Sequence, residues 1–393
     1  MRDFFKVILF LFIVFIFLIG PSGERQQYFL DGSYLCEEKS ISPTPIPQKE
    51  PVIYTKKQIQ YEGKPQVLHI LEVDISNPQV KILPVLSTDR IFGFEYLSDI
   101  NKRYNAKATI NAGFNYPYGQ PSGLFIQDGR IVSSSKGYGR ILLIGEKKAW
   151  FSTPPLKVWV GDEDYKLPVD SVNPYPKQKG ILIYTPEYGA TNRIDTEHTV
   201  TVVRNNIVES SQIASGETQI PDDGFLIADL RVENSPLLNF YVGQNVEISI
   251  ESPIEEGDQG VEMEYQDTEV KLSLKIEHGY QCSGSLVENG KNVSKDLDEW
   301  AGNLRIPTPK TAVGLKDENT LVFLVVDGRQ PEYSEGVTGS QLADILISLG
   351  VTEAAILDGG ASSELIYNGE IANRPSTGKE RLLATAFVVI ITQ

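Results

Sequence analysis

Histidine and cysteine are scarce in this chain of 393 residues, which holds three of the first and two of the second. His69, His198 and His278 lie far apart and show no ligand spacing, which sets aside a histidine-rich zinc site. Cys36 and Cys282 read as two unrelated thiols, because Cys36 falls in a segment of flexible composition. Positive charge is also in deficit: 36 Lys and Arg stand against 52 Asp and Glu, a formal net charge of −16. A field of that sign repels nucleic acid and anionic surfaces, so nucleic acid is excluded as a partner. An anionic substrate would have to be held by local cations. Internal repeats are lacking, and so is any second linker.

What is there fits a globular chain, 41% hydrophobic and 22% charged. Basic residues at the N-terminus precede an unbroken apolar run, Val7 to Ile19, followed by Gly20-Pro-Ser-Gly23. The run is short of the about 20 residues a spanning helix needs. Residues 1–23 therefore read as a signal peptide or membrane anchor, which implies an exported protein, secreted or held at the outer face. Membrane contact is expected only through that segment. Residues 24–51, ending in a proline-rich polar stretch, read as a flexible tether. Residues 52–393 then form one domain.

Within it β-branched and apolar runs dominate, and Gln66–Val73, Gln79–Leu86, Ile141–Ile144, Thr199–Val203, Val246–Ile250 and Val270–Ile276 are predicted strands. Two helices are expected, Phe94–Tyr104 and Ser340–Leu349, the second with Ser340 as N-cap and Gly350 as stop. The Glu-rich stretch Glu251–Gln266 reads as an exposed loop. The expected fold class is α+β: a β-rich, mixed-sheet single domain with helices packed on the sheets.

Three apolar runs end alike: Ala108–Ile110 into Asn111-Ala-Gly113, Leu321–Val326 into Asp327-Gly-Arg329, and Ala354–Leu357 into Asp358-Gly-Gly-Ala-Ser-Ser363. A buried strand that stops at a short polar residue followed by glycine can aim that side chain into a cleft. With a helix between the second and third runs, a parallel crossover would bring Asp327 and Asp358 to one sheet edge. Two neighbouring carboxylates suit glycosyl transfer to water. They could equally hold a hard divalent cation, calcium or magnesium, with Asn111 as a neutral ligand. Lys310, Arg329 and Arg381 supply local cations, with Arg374 nearby, and arginine's planar fork matches phosphate oxygens. Gly359, Gly360, Ser362 and Ser363 could form an anion-binding nest. Neither serine has a histidine in its motif, which argues against a serine-histidine hydrolase.

In order along the chain, Ile110-Asn-Ala-Gly-Phe114, Pro121–Gly129, Pro309-Lys-Thr-Ala-Val-Gly314, Val326-Asp-Gly-Arg-Gln330, Gly336-Val-Thr338, Leu357–Ser363 and Asn373-Arg-Pro-Ser376 with Glu380-Arg381 resemble the phosphodiester glycosidase family. The likeness runs from about Gln66 to Ile391. It implies an extracytoplasmic hydrolase of a sugar-1-phosphodiester, with Asn111, Asp327, Asp358 and Arg329 in the pocket and Thr338 among the substrate contacts. Three departures are Lys310, where the family commonly has arginine, Ala361, where it often has a third glycine, and Gly279–Leu286, which lacks the usual Gly-Gly-Pro. The other reading is a non-catalytic cell-surface module that binds exopolysaccharide or a phosphodiester-linked polymer.

Overall fold

The computed structural model describes residues 50–174, 179–251 and 276–392. The expected signal or anchor, nearly all of the tether, Cys36, the Glu-rich stretch beyond Glu251 and the strand Val270–Ile276 up to its last residue lie outside the described residues.

Two sheets carry the candidate site. Their elements in chain order are β1 (Val52–Tyr61), β2 (Lys64–Asp74), β3 (Val80–Leu86), α1 (Leu97–Tyr104), β4 (Ala108–Asn111), β5 (Ser285–Glu288) and β6 (Lys291–Asn292). They continue as β7 (Lys310–Asp317), β8 (Thr320–Val326), α2 (Gly339–Ser348), β9 (Glu353–Ile356), β10 (Leu365–Tyr367), β11 (Glu370–Ile371) and β12 (Thr385–Ile391). The first sheet runs β1-β2-β8-β7-β9-β5-β6 and the second β11-β10-β4-β12-β3.

Side chains alternate across a strand, so a run buried on both faces must be apolar throughout. In β8, Leu321, Phe323 and Val325 join the core between the two sheets, with Ile110, Leu365, Phe387 and Val389 of the second sheet. Val322, Leu324 and Val326 point the other way, against Leu342, Ala343, Ile345 and Leu346 of α2. The outer face of the second sheet is covered by Leu97 and Ile100 of α1, which meet Val85, Ala386 and Val388. The layers are therefore α2, first sheet, second sheet, α1. Burying a large aliphatic side chain is worth about 1.5–3 kcal/mol, and this double use of each strand makes the sheet pair the main store of stability.

The strands expected at Gln66–Val73 and Gln79–Leu86 lie within or against β2 and β3. Those at Ile141–Ile144, Thr199–Val203 and Val246–Ile250 appear in further sheets as Ile141–Ile144, His198–Arg204 and Glu247–Glu251. Among the described residues there are two α-helices, so the domain is β-rich with helices on its sheets. The first helix starts later than expected because Glu95–Tyr96 pairs as a strand with Leu382–Leu383. The second is capped by Thr338, not Ser340. The Thr338 Oγ1 accepts from the Gln341 amide at 3.2 Å and the Gln341 Oε1 accepts from the Thr338 amide at 3.0 Å, a reciprocal capping box.

The crossover differs from expectation in one respect. β8 and β9 do run the same way, but each pairs antiparallel with β7, which lies between them. The reason is local: Asp317 accepts from the Asn319 amide at 2.9 Å and from the Thr320 hydroxyl at 3.2 Å, closing a tight turn that folds β7 back onto β8. β2 takes the other edge of β8. The chain leaving β8 can therefore reach the sheet again only beyond β7. The mixed character of the sheets shows elsewhere, in the parallel pairing of Ser171–Val172 with Ile181–Tyr184.

Candidate active site

Because β7 runs opposite to its neighbours, its first residue lies at the edge where they end. Lys310 is in register with Val326, and Ala312 with Ile356. One edge of the first sheet thus presents Asp327, Lys310 and Asp358 in that order. β4 of the second sheet ends at Asn111, whose amide nitrogen donates to the Asp358 carbonyl at 2.7 Å.

The two aspartates differ in what surrounds them. Asp327 is buried, and four donors reach its carboxylate: His69 Nε2 at 2.9 Å and the Tyr333 hydroxyl at 3.2 Å on Oδ2, Asn373 Nδ2 at 3.1 Å and the Arg374 amide at 3.0 Å on Oδ1. That number matches the lone-pair positions of a carboxylate. His69 is itself fully buried, and its Nδ1 meets the Tyr54 hydroxyl at 2.8 Å. Burial, with the Asp327 charge next in importance, pushes the Tyr54 phenol up to about 12, so it keeps its proton. Tyr54, His69 and Asp327 form a closed relay that ties β1 and β2 to the loop after β8. The residue-by-residue reading missed His69. The signal available was a lone polar residue inside the apolar run Val67-Leu-His-Ile-Leu71, since a buried polar group needs a partner.

Asp358 is part-exposed where Asp327 is buried. Its surroundings are Ser362, Arg381 and the Gly359 amide, and burial outweighs these three to raise its carboxyl above the usual range. Asn111 holds the backbone beneath it. The Asn111 Oδ1 accepts from Thr311 Oγ1 at 2.9 Å and from the Glu364 amide at 3.0 Å. With its donor on the Asp358 carbonyl, Asn111, expected as a reacting or metal-ligating group, joins the two sheets. Asp327, expected with Asp358 as a possible divalent-cation ligand, has its carboxylate engaged by the four donors above. Among the described residues no group of three His, Cys, Asp or Glu is gathered to hold a metal.

The glycine nest also takes another form. The amides of Gly360, Ser362 and Ser363 donate to Pro309, Gly359 and Gly360 carbonyls in a 3-10 turn. They are not offered to a ligand. The two glycines serve close approach: a Cβ on Gly359 would lie 3.0 Å from the Pro309 oxygen, and one on Gly360, at φ +62°, would lie 3.2 Å from Arg329 Nη2. Ala361 has no positive φ, so no third glycine is required there. Ser363 accepts from Thr311 Oγ1 at 3.1 Å, while Ser362 accepts from Arg381 Nη1 at 3.2 Å. Thr338 is occupied in the helix cap.

The cations are distinctive. Lys310 is buried, its Nζ donates to Thr308 Oγ1, and burial together with the charge of Arg329 pushes its ammonium down to about 8. Arg329 stands exposed on a left-handed residue, φ 60°, braced by its amide on the Glu335 carbonyl at 3.0 Å. Among the described residues neither forms an ion pair with a carboxylate.

Behind Asp358 lies an acid pair that sequence reasoning did not find. Glu364 is buried, and burial and the Glu380 carboxylate push its carboxyl up to about 8. Glu380 accepts the Ser98 amide at 2.9 Å and the Ser98 hydroxyl at 2.8 Å, which keeps it the ionised partner while Glu364 holds the proton. Below pH about 4.5 both the folded and unfolded chains keep the Glu364 proton; between about 4.5 and 8 the unfolded chain alone releases it. Stability should therefore fall as pH rises through that window, by on the order of 5 kcal/mol. Urea unfolding of the protein and of Glu364→Gln across this range checks it, with the variant's profile flatter. Parallel profiles would refute the shared proton.

Residues 197–390 match the family described as phosphodiester glycosidase. The span takes in Lys310, Asp327, Arg329, Asp358 and Arg381, and leaves His69, Asn111 and the Pro121–Gly129 stretch outside it. The prophage-derived uncharacterized protein YomE of Bacillus subtilis is 31% identical over 136 residues, which is 34% of this chain and 21% of that protein. An uncharacterized protein of Rickettsia conorii is 23% identical over 256 residues, 62% of this chain and 83% of its own length. Among solved structures, a protein from Synechocystis superposes with a TM-score of 0.68 at 19% identity, covering 87% of this chain and 62% of that one. The last likeness speaks to the fold.

Proposed function

Since residues 197–390 match the phosphodiester glycosidase family, we propose that this protein hydrolyses a sugar-1-phosphodiester to the free sugar and a phosphomonoester. One observation carries the reading. Lys310 and Arg329 both approach the Gly359-Gly360 turn that follows Asp358, neither is paired with a carboxylate among the described residues, and the Arg329 charge adds to burial in lowering the Lys310 ammonium. In a chain of net charge −16 such a pair makes sense as a seat for an anion.

In this reading the diester phosphate rests against Lys310 and Arg329, with Arg381 alongside. Water attacks the anomeric carbon, the bond from that carbon to the phosphate oxygen breaks, and Asp358 takes the proton that the water loses. The cations stabilise the charge that gathers on the departing phosphate, which is a good leaving group and needs little acid assistance. Asp327 acts through others, as a positioning residue whose four hydrogen bonds hold the loops after β8 and β11. We place the activity outside the cytoplasm on the strength of the apolar N-terminal run, Val7–Ile19. Among the described residues no helix is long and apolar enough to cross a membrane.

The test is release of free sugar from a panel of sugar-1-phosphodiesters as a function of pH. Because the Lys310 ammonium is pushed down to about 8, kcat/KM should fall as pH rises through that value. Lys310→Arg should move this alkaline limb upward, and Lys310→Met should lower kcat/KM by roughly 10²–10³-fold. Unchanged turnover in Lys310→Met would refute the anion seat, and no product from any diester would refute the hydrolase.

A further inference from the structure

The loop that leaves Asn111 begins at Ala112, whose carbonyl accepts the Asp358 amide at 3.0 Å, and continues into Phe114, Tyr116 and Tyr118. Phe114 packs against Trp300, ring centres 5.7 Å apart, while the two tyrosines beyond it are more exposed. Tyr116 is 41% exposed and Tyr118 63% exposed. Tyr118 sits in the left-handed region, φ 76° and ψ 3°, a conformation that bulky residues avoid. The backbone is locked in that state. The Tyr118 carbonyl accepts from the Gly93 amide at 2.8 Å, and Gly119, at φ +95°, passes so close that a Cβ would lie 2.1 Å from the Gly93 oxygen.

Tyr116 and Tyr118 line a cavity of about 460 Å³, a volume that accommodates a sugar ring. Lys136 lines it from the opposite loop, with its Nζ 5.8 Å from the centre of the Tyr116 ring. Among the described residues Lys136 has no ion pair with a carboxylate. The floor is polar: Gln120 is 6% exposed, its amide nitrogen donates to the Asn173 carbonyl at 2.7 Å, and its Oε1 has no hydrogen-bond partner. Flat aromatic faces suit the apolar face of a pyranose, and a buried acceptor without a donor suits a sugar hydroxyl. An ammonium with no acidic partner suits a second phosphate.

We infer that the Tyr116–Tyr118 cavity is a second subsite, which takes the next sugar and phosphate of a phosphodiester-linked glycan, so that the protein acts on a polymer and not on an isolated diester. This deepens the proposed hydrolysis and rests on it for the reacting end alone. The pocket's own chemistry selects the extended chain.

The probe is a synthetic glycosyl-phosphate oligomer of three repeats, compared with its one-repeat methyl diester. In the full chain, Tyr116→Ala combined with Tyr118→Ala and Lys136→Met should lower kcat/KM for the oligomer at least tenfold more than for the one-repeat diester, chiefly through KM. Equal losses on both probes, or none, would overturn the subsite. Binding of the oligomer by calorimetry is measured in parallel on an Asp358→Asn background. Binding that is kept in that variant and lost with the triple substitution supports the subsite even if no hydrolysis is detected, and oligomer binding indifferent to the triple substitution overturns it even if hydrolysis is robust.

Discussion

Asp358→Asn should lower kcat for sugar release by roughly 10²–10⁴-fold, the range that a positioned acid or base contributes, and leave the unfolding midpoint level or slightly raised. The activity loss follows from the proposed role of this part-exposed carboxylate, which lies beside Ser362 and Arg381. The stability effect has the opposite sign because burial already disfavours the charged form, so a neutral amide of the same shape relieves a cost. The Asn111 contact is to the backbone carbonyl and survives the substitution. Steady-state kinetics and a denaturation curve on the same preparation decide it. Turnover close to the parent's would remove Asp358 from the chemistry, and a large drop in midpoint would make it a structural residue.

Asp327→Ala should behave in the reverse order. Removing the carboxylate strands the buried ring nitrogen of His69, the Asn373 amide and the Arg374 backbone amide together, and breaking one side of such a buried network costs about 3–5 kcal/mol. The urea midpoint should fall accordingly with little change in slope. Asp327→Asn should be nearly as harmful, since its amide group points a donor at donors. Activity would fall too, through displacement of the loop that carries Arg374. A variant as stable as the parent would mean that the His69–Asp327 contact contributes little and that Asp327 is free to react.

Comparing these two residues shows how far the pattern in the chain could be read. The grammar of an apolar run stopping at Asp-Gly placed both carboxylates at strand ends, and the helix between the runs pointed them the same way, as the structure bears out. The order at the edge was not legible. The Asp317–Thr320 turn folds β7 back onto β8, and that puts Lys310 between the two acids, a result of register and not of local pattern. Asn111 was found by the same grammar, but its carboxamide is consumed at the junction of the two sheets. His69 was passed over because it has no partner near it in sequence, while its partner in space is Asp327, 258 positions away. Glu364 was passed over likewise, and Glu380 entered only within a family-like motif: a carboxyl is shifted by what buries it and by the charge beside it, which the fold alone brings together.

What the amino-acid order by itself determined was local: where strands begin and end, which of their faces are apolar, and where glycine lets the backbone pass close to a neighbour. These follow from side-chain periodicity and from backbone freedom, properties of adjacent residues. Only the tertiary structure decided which aspartate is tied down by four donors and which is left part-exposed. That distinction depends on how many donors converge on each carboxylate, and those on Asp327 come from 6 to 258 positions away and meet only when both sheets have closed.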